Sequence, residues 1–87
     1  MDEEFIVLQD DIHDEGEDTA REAVKEGFEK YQDLQQVANY IKACFDKALG
    51  TGWNVVIGNN FGAHVSHVTN NYVFAQFRHL YITIWKS

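Results

Sequence analysis

The chain has 87 residues, a formal net charge of −7, and a composition that is 45% hydrophobic and 14% aromatic. Its single cysteine rules out an internal disulfide, and its four histidines, without paired metal-ligand spacing, argue against a structural metal. The acidic balance argues against nucleic acid or an anionic membrane as a partner, because both repel it.

The length suits one domain, residues 1–87. A domain of this size buries only about 60–65% of the surface its unfolded chain exposes. Small domains compensate with disulfides, metals or oligomerisation. With the first two disfavoured, the large apolar load points to a second copy as cover. Charge is uneven. Residues 1–30 hold twelve acids and three bases, and residues 31–87 hold two acids and four bases. No apolar run approaches the ~20 residues of a membrane span. No basic-then-apolar start suggests a signal peptide. A lone cysteine fits a reducing compartment, so the expected location is cytoplasm or cytoskeleton.

In chain order, Phe5-Ile6-Val7-Leu8 reads as a strand. Asp10 to Asp18 reads as a solvated acidic connection, with Asp18 or Thr19 as the N-cap of the following helix. In that helix Ala20, Ala23, Val24, Gly27, Phe28 and Tyr31 share one face. A second helix follows, with Leu34, Val37, Ala38, Ile41, Cys44, Phe45, Ala48 and Leu49 on its apolar stripe. Asp33 with Gln36 resembles a capping box, and Gly50-Thr51-Gly52 supplies the stop. The remainder reads as β: Trp53 to Ile57, Phe61 to His67, Tyr72 to Phe77 and Leu80 to Trp85, with turns at Gly58-Asn59-Asn60 and Thr69-Asn70-Asn71. The fold class is α+β: two helices packed on one face of an antiparallel sheet, the other face needing cover from a second copy.

Three chemical readings compete with this interaction-module picture. Cys44 could be a nucleophile in a small Cys/His enzyme, but it lies on an apolar helix stripe, where free cysteine behaves as a small hydrophobe. His64 and His67 could bind metal, but residues three apart in a strand point to opposite faces. The acids from Asp10 to Asp18 could chelate calcium, but they lack the spacing and closing glutamate of a helix-loop-helix calcium loop. No catalytic residue, cofactor or metal is therefore expected.

A set of residues gives the sequence a sharper identity. Ile41-Lys42, Phe45-Asp46-Lys47, Trp53, Val56-Ile57-Gly58, Asn60-Phe61-Gly62, Val65-Ser66-His67 and the ending Trp85-Lys86-Ser87 resemble the small, roughly eight-kilodalton dynein light chain family, with Glu29-Lys30-Tyr31 extending the match into the first helix. The resemblance implies a strand-exchanged two-fold dimer in which Phe61–His67 pairs with the partner subunit's sheet. It further implies that target peptides add as a strand along that element. On this basis Phe61, Gly62, Ala63, His64, Val65, Ser66 and His67, with Leu34, Gln35 and Phe74, are the expected peptide-binding residues. Asn54, Val56, Gly58, Asn60, Phe61, Val65 and His67 are the expected dimer interface. The strand itself carries no proline or lysine to blunt its edge.

Some positions depart from the family pattern. Leu34 and Gln35 stand where the family uses a Lys-Glu pair to hold a target glutamine. His64 replaces a tyrosine, Asn54 replaces an interface histidine, and Arg78 occupies a turn position usually held by glycine. The function implied is a non-catalytic light chain that fastens two partner chains together, the partner being a dynein intermediate chain or another dynein subunit. The dimer implied is a homodimer or a heterodimer with a related light chain, in the cytoplasm, on the cytoskeleton or in the ciliary axoneme. A dimerisation hub for non-motor clients is the alternative.

Overall fold

Period-two and period-3.6 patterns resolve into β1 (Phe5–Asp11), α1 (Asp14–Lys30), α2 (Leu34–Leu49), β2 (Trp53–Gly58), β3 (Tyr72–Phe77) and β4 (Leu80–Lys86) in the computed structural model. The structure describes residues 4–12, 14–59 and 71–86. The strand expected at Phe61–His67 lies outside these residues.

The four described strands form one antiparallel sheet in the order β1-β3-β4-β2. Alternate residues point to opposite faces. Val73, Ala75 and Phe77 of β3, Ile82 and Ile84 of β4 and Trp53 of β2 join Ala20, Ala23, Val24, Val37, Ile41 and Phe45 of the helices in one buried cluster. The helices therefore cover one face only. Tyr72, Phe74, Tyr81, Thr83, Trp85, Asn54 and Val56 belong to the other. No helix among the described residues is long and apolar enough to cross a membrane.

Two glycine positions shape the helical layer. A side chain at Gly27 would bring its Cβ to 3.2 Å from Val37 Cγ1 and 3.3 Å from Tyr40 Cδ2, so α1 and α2 approach closely there. The Tyr40 hydroxyl donates to Glu26 Oε1 at 2.6 Å across this contact, and that bond pushes the tyrosine's ionisation upward. Gly50 ends α2 at φ 93° and ψ 166°, a region essentially closed to other residues.

Three local expectations are corrected. The first strand does not stop at Leu8; it continues to Asp11 because Gln9, Asp10 and Asp11 find partners in Phe74, Val73 and Tyr72. Helix α1 starts at Asp14, so Asp18 and Thr19 lie within it and neither is an N-cap. Thr19 Oγ1 instead donates back to the Glu15 carbonyl at 2.8 Å, a mid-helix bond. Asp33 does hold the N-cap position of α2, but its side chain makes no capping hydrogen bond, so the capping box does not form.

Candidate functional site

Strand β2 is at one end of the sheet, with β4 on one side and no described strand on the other. Its pairing with β4 runs without interruption from Trp53↔Lys86 to Gly58↔Tyr81. The position of β2 is fixed by α2. Asp46 of α2 accepts the backbone N–H of Trp53 at 3.2 Å through one oxygen. Its other oxygen accepts from Lys42 Nζ at 2.7 Å. The Lys42 ammonium, helped by the Trp53 N–H, holds the Asp46 carboxyl below the usual aspartate range. Phe45 packs against Trp53 in a tilted ring contact, with centroids 4.9 Å apart. The start of β2 is thus clamped to the end of α2.

At the other end the two elements part. Leu34, Gln35 and Ala38 from the start of α2 face Val55, Val56 and Ile57 of β2 across a groove of about 240 Å³. No charged side chain lines it. Leu34 remains 38% exposed and Val56 39%, so two large apolar side chains lie beside a strand edge that no described strand covers. Gln35 Nε2 donates to Asn39 Oδ1 at 3.2 Å along the helix, which fixes the amide at the groove mouth.

The structure therefore brings together Leu34, Gln35 and Val56, from both expected residue sets. Asn54 and Gly58 lie on the same strand, both half-buried. Phe74 does not reach this groove within the chain. It lies on β3, with β4 between it and β2, and it is buried against Tyr81 with centroids 6.0 Å apart. Asn60, Phe61, Gly62, Ala63, His64, Val65, Ser66 and His67 lie outside the described residues. Sequence reasoning missed Ala38, Val55 and Ile57 as groove walls. Ala38 could have been found, because it follows Leu34 by four residues on one helix face.

Comparison with known proteins identifies the family and the fold. The profile of the family described as "Dynein light chain type 1" matches residues 4–87. The chain belongs to the dynein light chain family. A cytoplasmic dynein light chain from Emericella nidulans is 38% identical over 77 residues, covering 85% of this chain and 82% of that protein. Among solved structures, the dynein light chain-like domain of the Fasciola hepatica calcium binding protein FhCaBP2 superimposes with a TM-score of 0.74 at 18% identity, covering 99% of this chain and 93% of that one. A mercury derivative of the same domain gives a TM-score of 0.70 at 17% identity, covering 95% and 91%. At such identity these two structures bear on the fold: two helices on an antiparallel sheet. Within this family member, Cys44 is half-buried and packs against the core cluster.

Proposed function

We propose that this chain is a non-catalytic dynein light chain that dimerises through β2 and captures a disordered segment of a partner chain by strand addition. The observation that carries the reading is the uncharged edge of β2, which no described strand covers, beside the apolar groove at the start of α2. Family membership supplies the motor context. An exposed edge offers a row of backbone donors and acceptors, so an added strand gains hydrogen bonds whatever its side chains are.

In this reading the Phe61–His67 segment of one subunit pairs with β2 of its partner. Asn54, Val56, Gly58, Asn60, Phe61, Val65 and His67 form the interface. The partner peptide then lies along Phe61–His67 and is enclosed by Leu34 and Gln35 of the other subunit, with Phe74 close to the contact. Two identical grooves on one dimer favour two parallel copies of the partner, because the second binding event becomes effectively intramolecular. Leu34 and Gln35 offer an apolar wall and an amide, so selection at this corner works by shape and hydrogen bonding instead of charge.

The assigned partner is a dynein intermediate chain, in the cytoplasm and on the cytoskeleton; immunolocalisation in ciliated cells separates this from an axonemal post. The test is sedimentation of the full chain at micromolar concentration, followed by titration with peptides tiling the disordered part of an intermediate chain. A dimer that binds one of them at one peptide per subunit is expected. A folded monomer that binds none would overturn the reading. Co-purification from cells distinguishes motor subunits from non-motor clients of the same groove.

A further inference from the structure

At the other end of α2 from Leu34, a smaller cavity of about 150 Å³ lies between the first turn of α1, the end of α2, the start of β2 and the end of β4. Ile12, Leu49 and the Trp53 ring give it apolar walls. Glu15 and Lys86 bring one charge of each sign to it. Gly16 lines it with main chain only, and a Cβ at that position would collide with Ile12. Trp53 is only 2% exposed, and its indole nitrogen is closed to solvent with no hydrogen-bond partner. An orphaned buried N–H is rare and costly. Indole is a donor only, so the missing partner is an acceptor.

The remaining lining residue, Asn71, is tied to β4 by its carbonyl, which accepts the Lys86 N–H at 3.0 Å. Lys86 Nζ stands 5.9 Å from the Trp53 ring centroid, close enough for one carboxylate to meet both donors. The ammonium also helps hold the Asp46 carboxyl low, but the Asp46 oxygens accept from Lys42 and from the Trp53 backbone N–H. Among the described residues no ion pair joins Lys86 to Glu15. The start of α1 adds the positive end of its dipole. A buried neutral donor, an ammonium and a helix start thus converge beside apolar walls, and an apolar cavity of this size can take a body as large as benzene. We infer that this cavity binds a small aliphatic monocarboxylate, its oxygens between the Trp53 indole N–H and the Lys86 ammonium and its tail against Ile12 and Leu49. Glu15 opposes a second negative charge and so restricts the ligand to monoanions.

The test is titration of the full-length, nitrogen-15-labelled chain with isobutyrate at constant ionic strength, following the indole N–H resonances. The chain has two tryptophans, and Trp53→Phe or Trp85→Phe tells their signals apart. The Trp53 signal is expected to shift saturably, with a dissociation constant of about a millimolar, as suits so few atoms. Isobutylamine, which has the same tail and the opposite charge, should leave the signal in place. Lys86→Met should weaken isobutyrate binding roughly two- to fivefold, and Glu15→Gln should tighten it by a similar factor. Both side chains lie outside the buried core, so both variants are expected to fold. A Trp53 signal that does not move, or that drifts linearly without saturating, overturns the site. So does an equal response to isobutylamine, or binding that neither variant alters. Any of these results would leave the groove at Leu34 untouched, because the two places share no lining residue.

Discussion

Replacing Val56 by lysine should disable pairing while leaving the fold of the single chain in place. Val56 points away from the core, which β2 reaches through Trp53, Val55 and Ile57. It keeps 39% of its surface exposed. Full burial of a valine is worth about 1.5–3 kcal/mol. Covering the remaining 39% therefore contributes about 0.6–1.2 kcal/mol per copy. A two-fold axis presents the residue twice, giving about 1–2 kcal/mol, or roughly five- to thirtyfold in the dimer dissociation constant. Lysine forfeits this contact and adds desolvation of an ammonium on each side, a cost of several kcal/mol moderated by the reach of its stem to the rim. The dimer should weaken by at least about tenfold. Sedimentation velocity over a dilution series reads this directly, with circular dichroism reporting the fold. A folded Val56→Lys protein that dimerises as tightly as wild type would refute the assignment of this face to the interface.

Other expectations address stability. Phe45 is fully buried and packed at a tilt against Trp53, so Phe45→Ala should cost about 3–5 kcal/mol, readable as a lower urea midpoint. That loss is a large share of the total stability of a small domain. Gly27→Leu should destabilise by about 1–3 kcal/mol, because Val37 and Tyr40 already occupy the space; an unchanged melting temperature would contradict the close helix approach. Asp46 gives a pH signature. Its carboxyl is held low by Lys42 and by the Trp53 N–H, so its charge-dependent contribution is fully present above the ordinary aspartate value of about 3.9 and is lost as pH falls through its lower folded value. The gap in melting temperature between wild type and Asp46→Asn should therefore close at the acid end of a pH series; a gap that stays constant would show that the charge is not responsible.

How legible the fold was in the sequence depended on whether local or distant residues decide each element. Helix α2 was readable end to end, because its apolar spacing is regular from Leu34 to Leu49 and Gly50 stops it. Strands β3 and β4 were readable from their apolar runs, and the positive φ at Arg78 was foreshadowed by the glycine that the resembled family usually has at that turn position. The acidic stretch from Asp10 to Asp18 was not. Asp10 and Asp11 have poor strand propensity and are strand only because β3 lies alongside. The acids at the start of α1 looked like a solvated connection, yet they suit the positive end of the helix they begin. For the site, the resemblance pointed to Leu34 and Gln35, and the structure places both opposite β2. The facing residues Val55 and Ile57 could not be read as walls, since that depends on how α2 tilts over β2.

The two ends of the sheet also bear on how the proposed pairing would stop at a dimer. A sheet with two free edges can add copies head to tail, β1 of one chain against β2 of the next, and such a contact propagates into a filament. Strand β1 is built against this. Its register with β3 shifts between Val7 and Gln9, which places a bulge in the middle of a seven-residue strand. Beyond the bulge come Gln9, Asp10 and Asp11, so half of that edge is bent and the rest carries acids. Strand β2, Trp-Asn-Val-Val-Ile-Gly, has neither a bulge nor a charge. Exposed Ile6 and Leu8 make β1 the apolar edge on side chains alone, yet the backbone there is the poorer template. Among the described strands, β2 is the more regular template for an added strand. If that strand is given reciprocally by a second copy, both good edges are consumed at once and assembly closes at two.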